Sequence, residues 1–216
     1  MNSIEVNKKN LEFWNEFYRN CKRDGIVADD WLWTFEKIIN DSRGPVLDLG
    51  CGDGNNIINL LNRGKNVSAA DGSINAILNI RKNFPEVKEA ICFDMLDTFP
   101  YANNSTDLIV ADLCLQYFTK EDTIKILKEI RRILVNRGHM LFRVNSIDDV
   151  NYMPKNATEV EKHLYLTEDG GYKRFFDYAD IYEFFNMFDI KYIREGVTNK
   201  YKLEKKLYVC DVRNIK

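Results

Sequence analysis

The pattern of hydrophobic and polar positions changes near residue 45. Before it, apolar residues recur at helical spacing, and aromatic residues at positions 13, 14, 17 and 18 share one broad face. After it, short apolar runs alternate with amphipathic stretches. The apolar runs predict strands over residues 46–49, 67–70, 89–93, 108–113 and 139–144. This alternation predicts a mostly parallel sheet with helices on both of its faces.

Capping residues and glycines set the predicted helix boundaries. Ser73 suits the N-cap of a helix that reaches residue 83, and Thr119 with Asp122 resembles a capping box that opens a long helix. Apolar residues at helical spacing predict a further helix over residues 55–62, which Gly64 is placed to end, and Gly138 is placed to end the long helix. The helical stretch around residues 31–39 follows a turn predicted at residues 23–25.

The last third of the chain adds a polar segment, a helix and two strands. We expect the helix over residues 177–188 and two partly exposed edge strands over 190–193 and 207–212, with a solvated turn at 204–206. The complete pattern predicts an α/β fold: a Rossmann-like, doubly wound, mostly parallel seven-stranded sheet with helices on both faces. N-terminal helices covering the site are part of this expected fold and come from likeness to similar proteins, not from the pattern.

Composition limits the classes of partner. The chain has 216 residues, 31 Lys plus Arg against 33 Asp plus Glu, and a formal charge of −2, which disfavours a nucleic-acid partner. The apolar runs are too short to span a membrane, and the N-terminus has no apolar core typical of export signals. The five cysteines contain no C-x-x-C pair, which favours a reducing cytoplasm and no metal site. These features predict a cytoplasmic protein with a small-molecule partner, and they indicate no oligomeric state.

Carboxylates follow four consecutive predicted strands. Ligands of open α/β sheets bind beyond the carboxyl ends of the strands, where this sequence places Asp48, Asp71, Asp94 and Asp112. A glycine loop follows the first strand, but its spacing is G-x-G-x-G rather than the G-x-G-x-x-G of dinucleotide sites. Nearby acids would repel a diphosphate and attract a cation. The combination therefore predicts a nucleoside with a ribose, a positive charge and no phosphate, which S-adenosylmethionine satisfies.

These residues also resemble a known family. VLDLGCGDG at residues 46–54 looks like motif I of class I S-adenosylmethionine-dependent methyltransferases, and the segments at 70–73, 93–95 and 106–118 resemble their later motifs. The resemblance implies that the backbones of Gly50 and Gly52 admit the methionine part, with Asp48 near its ammonium group. It further implies that Asp71, beside Gly72, binds the ribose, and that Asp94 and Met95 contact the adenine. Cys51 and Asp112 complete the predicted cofactor contacts.

Catalysis by such an enzyme needs little beyond alignment of the acceptor and exclusion of water. If a general base exists, the candidates are, in falling order, Asp112, Tyr117, Tyr18 and His163. The aromatic face at positions 13–18 is equally compatible with core packing and with a lid over the cofactor.

The domain organisation follows from these assignments. We expect a single methyltransferase domain with an N-terminal helical cap over 1–43, a cofactor-binding core over 44–145, a substrate-side insertion over 146–176, and a closing helix with edge strands over 177–216. The acceptor is expected to be a small molecule, and parts of the chain weakly resemble tellurite-resistance-type methyltransferases. The alternatives are a non-catalytic sensor of the cofactor and, less favoured, an NAD-dependent oxidoreductase.

Overall fold

The computed structural model describes residues 3–20 and 29–216. Its centre is a seven-stranded sheet of β1 (Val46–Leu49), β2 (Val67–Asp71), β3 (Glu89–Cys92), β4 (Thr106–Asp112), β5 (Leu134–Asn145), β9 (Asp189–Thr198) and β10 (Lys205–Arg213). The strand order across this sheet is β3-β2-β1-β4-β5-β10-β9. The first five are parallel, whereas β10 is antiparallel to both β5 and β9. The predicted Rossmann-like, mostly parallel seven-stranded sheet is confirmed.

Helices cover both faces of this sheet. They are α1 (Ser3–Asn20), α2 (Glu36–Asp41), α3 (Asn55–Asn62), α4 (Ile74–Asn83), α5 (Lys120–Ile133) and α6 (Tyr178–Phe184), with short 3₁₀ helices at Asp30–Phe35 and Leu115–Tyr117. One buried cluster joins α5 and α6 to the sheet, and a second joins α2, α3 and α4 to its other face. The parallel strands are therefore buried on both sides, as their continuous apolar sequences predict.

Two of the predicted helix starts have their caps in place. The Ser73 hydroxyl accepts a hydrogen bond from the Ala76 N–H, and the Thr119 hydroxyl accepts one from the Asp122 N–H. Each satisfies a backbone donor that the first turn of a helix leaves without an intrahelical partner. The starts of α4 and α5 are thus fixed by local sequence.

The predicted end of α5 at Gly138 is wrong. The helix ends at Ile133, and Leu134 is already extended and buried at the start of β5. The cause lies at the other end of the chain, because the Asn214 side-chain amide donates to the carbonyls of Arg131 and Leu134. That long-range cap satisfies the helix end several residues before the glycine that local sequence offers.

The last third of the chain departs furthest from its predicted form. The polar segment contains a three-stranded antiparallel sheet of β6 (Thr158–Glu161), β7 (Leu164–Leu166) and β8 (Tyr172–Arg174). Of the two strands predicted at an edge, β9 is an edge strand and β10 is not, because β10 lies between β5 and β9. The predicted solvated turn at 204–206 is likewise wrong at Lys205, which opens β10 and is 6% exposed.

The N-terminal helices have two different positions. Helix α1 lies at the carboxyl ends of the strands, where its residues line a cleft, whereas residues 30–41 pack against a face of the sheet. The turn predicted at residues 23–25 lies outside the described residues. Among the helices of 3–20 and 29–216, each is too short or too polar to cross a bilayer.

Candidate functional site

The glycine loop after β1 forms a tight floor. Gly50, Gly52 and Gly54 all have positive φ, at 70°, 50° and 83°, a region that residues with a Cβ enter at a cost. A Cβ on Gly50 would lie 2.4 Å from the Cys114 Cβ, and one on Gly52 would lie 2.4 Å from the Tyr18 hydroxyl. The glycines are therefore required both by backbone conformation and by close packing.

The backbone donors of this loop are already engaged. The N–H groups of Gly50 and Cys51 both donate to the Ala70 carbonyl, at 2.8 and 2.9 Å. The Gly52 N–H donates to Asp71 at 2.9 Å, and the Gly54 N–H donates to the Cys51 carbonyl. A diphosphate site would instead direct such donors at the ligand.

Asp71 stands at the end of β2 beside the loop. One carboxylate oxygen accepts the Gly52 N–H, and the other accepts the Ser73 N–H at 2.8 Å. Burial raises the pKa of Asp71, although these N–H groups oppose the shift. Asp71 and Gly72 both line a cleft of about 110 Å³.

Asp94 and Met95 line the next part of the same cleft. Asp94 accepts hydrogen bonds from the Leu96 N–H at 2.9 Å and from the side-chain amide of Asn7 at 2.6 Å. The Asn7 contact comes from α1, so the carboxylate also anchors the helix that covers it.

Asp48 lies beneath the loop, and its side chain is fully buried. One oxygen accepts a hydrogen bond from Asn56 at 3.4 Å, and the other has no hydrogen-bond partner among the described residues. Burial, together with the negative charge of Asp112, raises the pKa of Asp48 to about 8. An unsatisfied buried carboxylate is costly unless a cation or a donor approaches it.

Asp112 ends β4 and is neutralised by Arg143. The guanidinium of this fully buried arginine holds both oxygens, with Nε at 2.7 Å and Nη2 at 2.8 Å, and it also contacts Asp29 at 2.7 Å. Burial would raise the pKa of Asp112, but the Arg143 charge and hydrogen bonds outweigh it and lower the pKa. This bidentate pair fixes Asp112 and leaves it a poor proton acceptor.

The chain turns sharply after Asp112. Leu113 has φ of 54°, which is unusual for a residue with a Cβ, and its N–H donates to the Arg143 carbonyl at 3.0 Å. This turn places Leu113, Cys114 and Tyr117 against the cleft. Leu113 was not predicted as a cleft residue, because no local sequence pattern indicates that a leucine will adopt the left-handed backbone conformation.

Helix α1 forms the roof. Asn7, Asn10, Leu11, Trp14 and Tyr18 all line the cleft. The Trp14 ring stacks near Tyr18 and meets the edge of Tyr117, with ring centres 5.9 and 5.6 Å apart. Asn15 tethers the helix by hydrogen bonds to Ser73 and Asn75. Of the two interpretations of the aromatic face, the lid fits Trp14 and Tyr18, because these side chains cover the cleft and do not pack in the central core.

A second, wider cleft of about 390 Å³ adjoins the first and shares Asp112, Leu113 and Tyr117 with it. One wall is the aromatic face of α1. The other carries polar groups from the 146–176 segment and the β9–β10 region, namely Tyr152, Lys173, Lys200, Tyr201 and Lys205. Local sequence does not mark Lys205 as a cleft residue, since its position on β10 is set by pairing with β9, and Lys200 lies in the connection between these two strands.

The four predicted base candidates are not all brought together. Asp112, Tyr117 and Tyr18 line both clefts. Burial raises the pKa of Tyr18 and of Tyr117, so both phenols stay protonated at neutral pH and can donate but not accept a proton. His163 lines neither cleft: it occupies the turn between β6 and β7, where its Nδ1 is 2.6 Å from an Asp180 oxygen.

The predicted cofactor residues are divided between the surface of the clefts and the layer beneath. Six of them line the first cleft: Gly50, Asp71, Gly72, Asp94, Met95 and Asp112. Cys51 and Gly52 line the second. Asp48 supports the loop from below, and the described lining of both clefts does not include it.

Solved structures of similar fold include several methyltransferases. The chain superposes with TM-score 0.70 and 17% identity on 1,6-didemethyltoxoflavin-N1-methyltransferase of Burkholderia thailandensis, with 100% of this chain and 92% of that chain covered. That structure holds 1,6-didemethyltoxoflavin and S-adenosylhomocysteine. A SAM-dependent methyltransferase of Anabaena variabilis gives TM-score 0.71 at 17% identity, covering 97% and 95% of the two chains. TehB of Haemophilus influenzae gives 0.66 at 16%, covering 93% and 67%. At these identities the likeness concerns the fold.

Sequence comparison points the same way. An uncharacterized protein of Methanocaldococcus jannaschii, MJ0638, is 31% identical over 127 residues, which is 59% of this chain and 52% of that protein. The chain therefore spans about half the length of this relative. Residues 47–142 match the family model described as a methyltransferase domain. The matched segment spans most of the Rossmann-like core from β1 to β5.

Proposed function

We propose that the protein transfers a methyl group from S-adenosylmethionine to a small-molecule acceptor. The observation that carries this proposal is the convergence of Asp71, Asp94 and Asp112, from three successive strand ends, on one cleft beside the glycine loop. That cleft continues into a second one at Asp112 and Tyr117, so a cofactor and an acceptor can meet there.

The cofactor residues fit a sulfonium nucleoside better than a dinucleotide. The engaged N–H groups of the glycine loop leave little for a diphosphate, and the buried carboxylate of Asp48 lies under the loop. Since Asp48 keeps one oxygen without a partner, it would favour the ammonium of a methionine group nearby. These features also disfavour the NAD-dependent alternative.

Each remaining carboxylate has a complementary part of the ligand. In our proposal, Asp71 accepts hydrogen bonds from the ribose hydroxyls with the lone pairs that its backbone partners leave free. Asp94 accepts from the adenine amino group once Asn7 shares or yields its position, and Met95 packs against the base. Gly50, Cys51 and Gly52 set the loop against the methionine part.

Methyl transfer requires the protein to align the acceptor rather than to activate the methyl group. The bound cofactor supplies a methyl group already activated on a positively charged sulfur. Asp112 is held by Arg143, while Tyr18 and Tyr117 are protonated, so none of them is a strong base near neutral pH. We propose that Tyr18 and Tyr117 orient the acceptor by donating hydrogen bonds and that the α1 roof excludes water.

The domain organisation is part of the same proposal. Residues 1–43 supply the cap, of which α1 is the part that covers the cleft, and 44–145 hold the cofactor. Residues 146–176 form the acceptor side through Tyr152 and Lys173, and 177–216 complete it. A balanced charge of −2 continues to favour a small molecule over nucleic acid.

Calorimetry with S-adenosylmethionine, S-adenosylhomocysteine and NAD tests the proposal. We expect both sulfur nucleosides to bind and NAD not to bind, with methyl transfer from labelled cofactor to at least one member of an acceptor panel. Binding of NAD alone would overturn the cofactor assignment. Cofactor binding without transfer to any acceptor would instead favour the sensor.

A further inference from the structure

The acceptor cleft contains a cationic corner that the proposed chemistry does not require. It is formed by Lys173 at the end of the 146–176 insertion and Lys205 at the start of β10, with Tyr152 and Tyr201 between and beside them. Methyl transfer needs an aligned nucleophile but no positive charge at this place. The two lysines of this corner are therefore candidates for recognition of the acceptor.

The two lysines are held near one aromatic ring. The Lys205 ammonium lies 4.6 Å from the centre of the Tyr152 ring and 5.6 Å from that of Tyr201, while the Lys173 ammonium lies 5.8 Å from the Tyr152 ring centre. Lys173 donates to the Tyr152 carbonyl at 2.8 Å. Both ammonium groups are thus fixed in direction, unlike lysines that move freely at a surface.

Their positive charge is only partly offset by the groups around them. Lys205 reaches Asp149 at a long 3.5 Å. Burial, together with repulsion from Lys205, lowers the pKa of Lys173 to about 8 against the attraction of Asp149 and Asp169. Burial likewise lowers the pKa of Lys205. Two desolvated cations that repel each other would be stabilised by an anion between them.

Two acids, Asp53 and Asp112, also line this cleft. Asp112 gives both of its oxygens to Arg143, which carries a positive charge of its own and also contacts Asp29. The cleft therefore presents a neutralised acid where the two clefts join and a cationic corner on the acceptor side.

The same cleft also has an aromatic part. Phe13 and Phe17 of α1 line the cleft and are 52% and 41% exposed, and Trp14 and Tyr117 line it as well. Exposed aromatic surface of this kind favours contact with a flat, apolar ring. A cleft that contains both a cationic corner and aromatic side chains selects a ligand with both features.

We propose that the acceptor is a planar aromatic or heteroaromatic molecule with an oxyanion group, a carboxylate or a phosphate, which Lys173 and Lys205 bind while its ring packs against α1. This inference rests on the proposed methyl transfer, since it assigns the acceptor half of that site. It adds a chemical class and two specificity-determining residues.

The test compares acids with neutral molecules of the same shape. Calorimetry is carried out on the protein saturated with S-adenosylhomocysteine, with benzoate against benzamide, indole-3-acetate against its amide, and phenyl phosphate against phenol. We expect at least one acid to bind about tenfold or more tightly than its neutral counterpart, as hydrogen bonds to charged groups allow. The carboxylate and phosphate arms identify which oxyanion is preferred.

Substitutions at the corner supply the second readout. Lys173→Gln should remove most of the preference for the acid, Lys173→Arg should restore it, and Lys205→Gln should act like Lys173→Gln. Lys206→Gln is the matched control, because Lys206 neighbours Lys205 on β10 but does not line the cleft. Thermal unfolding separates loss of the preference from loss of the fold, which matters for Lys205 because its removal leaves Asp149 buried.

The outcomes separate this inference from the proposed function. Normal binding of S-adenosylhomocysteine with no acid preferred in any pair, or with a preference that Lys173→Gln leaves unchanged, overturns the cationic corner alone. Failure of S-adenosylhomocysteine to bind the wild-type protein overturns the proposed function itself.

Discussion

The two halves of the candidate site are built in different ways. The cofactor half takes its acids and glycines from the ends of β1 to β4, so each residue directly follows a strand whose apolar sequence predicts it. The acceptor half gathers Tyr152, Lys173 and Lys205 from two regions far apart in sequence. A parallel sheet places its strand ends at one edge by topology alone, whereas the acceptor wall depends on contacts that only the folded chain makes.

Those contacts are visible between the insertion and the β9–β10 connection. The Tyr152 hydroxyl accepts from the Leu203 N–H at 3.1 Å, and Asn151 donates to the Glu204 carbonyl at 2.8 Å. The two segments therefore make one wall. Because the two halves are built by different contacts, substitutions in the acceptor half can leave the cofactor half intact. Acceptor specificity can therefore vary while the cofactor site stays the same.

The largest expected effect lies in the cofactor half. Asp71→Ala should weaken S-adenosylhomocysteine binding about a hundredfold, because two ribose hydroxyls lose a charged acceptor and the Gly52 loop loses its tether. Calorimetry measures the dissociation constant, and circular dichroism checks the fold.

Asp107→Ala is the matched control for this change. Asp107 also accepts backbone N–H groups, from Arg43 and Gly44, but at the opposite end of the sheet. It should lower the free energy of unfolding and leave the dissociation constant unchanged. If Asp71→Ala retained wild-type affinity, the assignment of Asp71 to the ribose would be contradicted.

The same contrast explains how much could be predicted from sequence. The strand at Val46–Leu49 and the helix at Asn55–Asn62 have the expected bounds, because apolar runs and glycines act locally. The end of α5 depends on Asn214, and the burial of Lys205 depends on pairing of β10 with two neighbours. The residues near the end of α5 and near Lys205 do not indicate either feature. Local sequence therefore predicted the strands whose ends bring these acids and glycines to the cleft, and long-range packing determined the rest.

A smaller effect comes from the buried acid under the loop. Between its ordinary pKa of 3.8 and about 8, Asp48 holds a proton in the folded state that the unfolded chain releases, so it reduces stability as pH rises through this range. Asp48→Asn should therefore raise the free energy of unfolding at pH 9 relative to the wild type by about 1–2 kcal/mol, with little difference at pH 4. Urea denaturation at the two pH values measures this difference.

Rising pH should increase the affinity for a cofactor with an ammonium group, whereas it lowers the stability of the protein. A ligand ammonium favours the ionised form of Asp48, so wild-type affinity for S-adenosylhomocysteine should rise about tenfold from pH 6 to pH 8.5 with release of a proton. Asp48→Asn should bind more weakly at pH 8.5 and show a flatter profile. Equal profiles for the two proteins would remove Asp48 from the cofactor half.

The smallest effect is expected at His163, a base candidate that the structure separates from both clefts. His163 has φ of 59°, a conformation that asparagine adopts more readily than most residues, so His163→Asn keeps the β6–β7 turn. It removes the contact of Nδ1 with Asp180 and should lower the free energy of unfolding by about 0.5–1 kcal/mol. Affinity for S-adenosylhomocysteine and for the preferred acid should stay within about twofold of the wild type, since neither cleft includes this side chain. A loss of turnover with unchanged stability would instead return His163 to the reaction and extend the acceptor half beyond the wall formed by Tyr152 and Lys205.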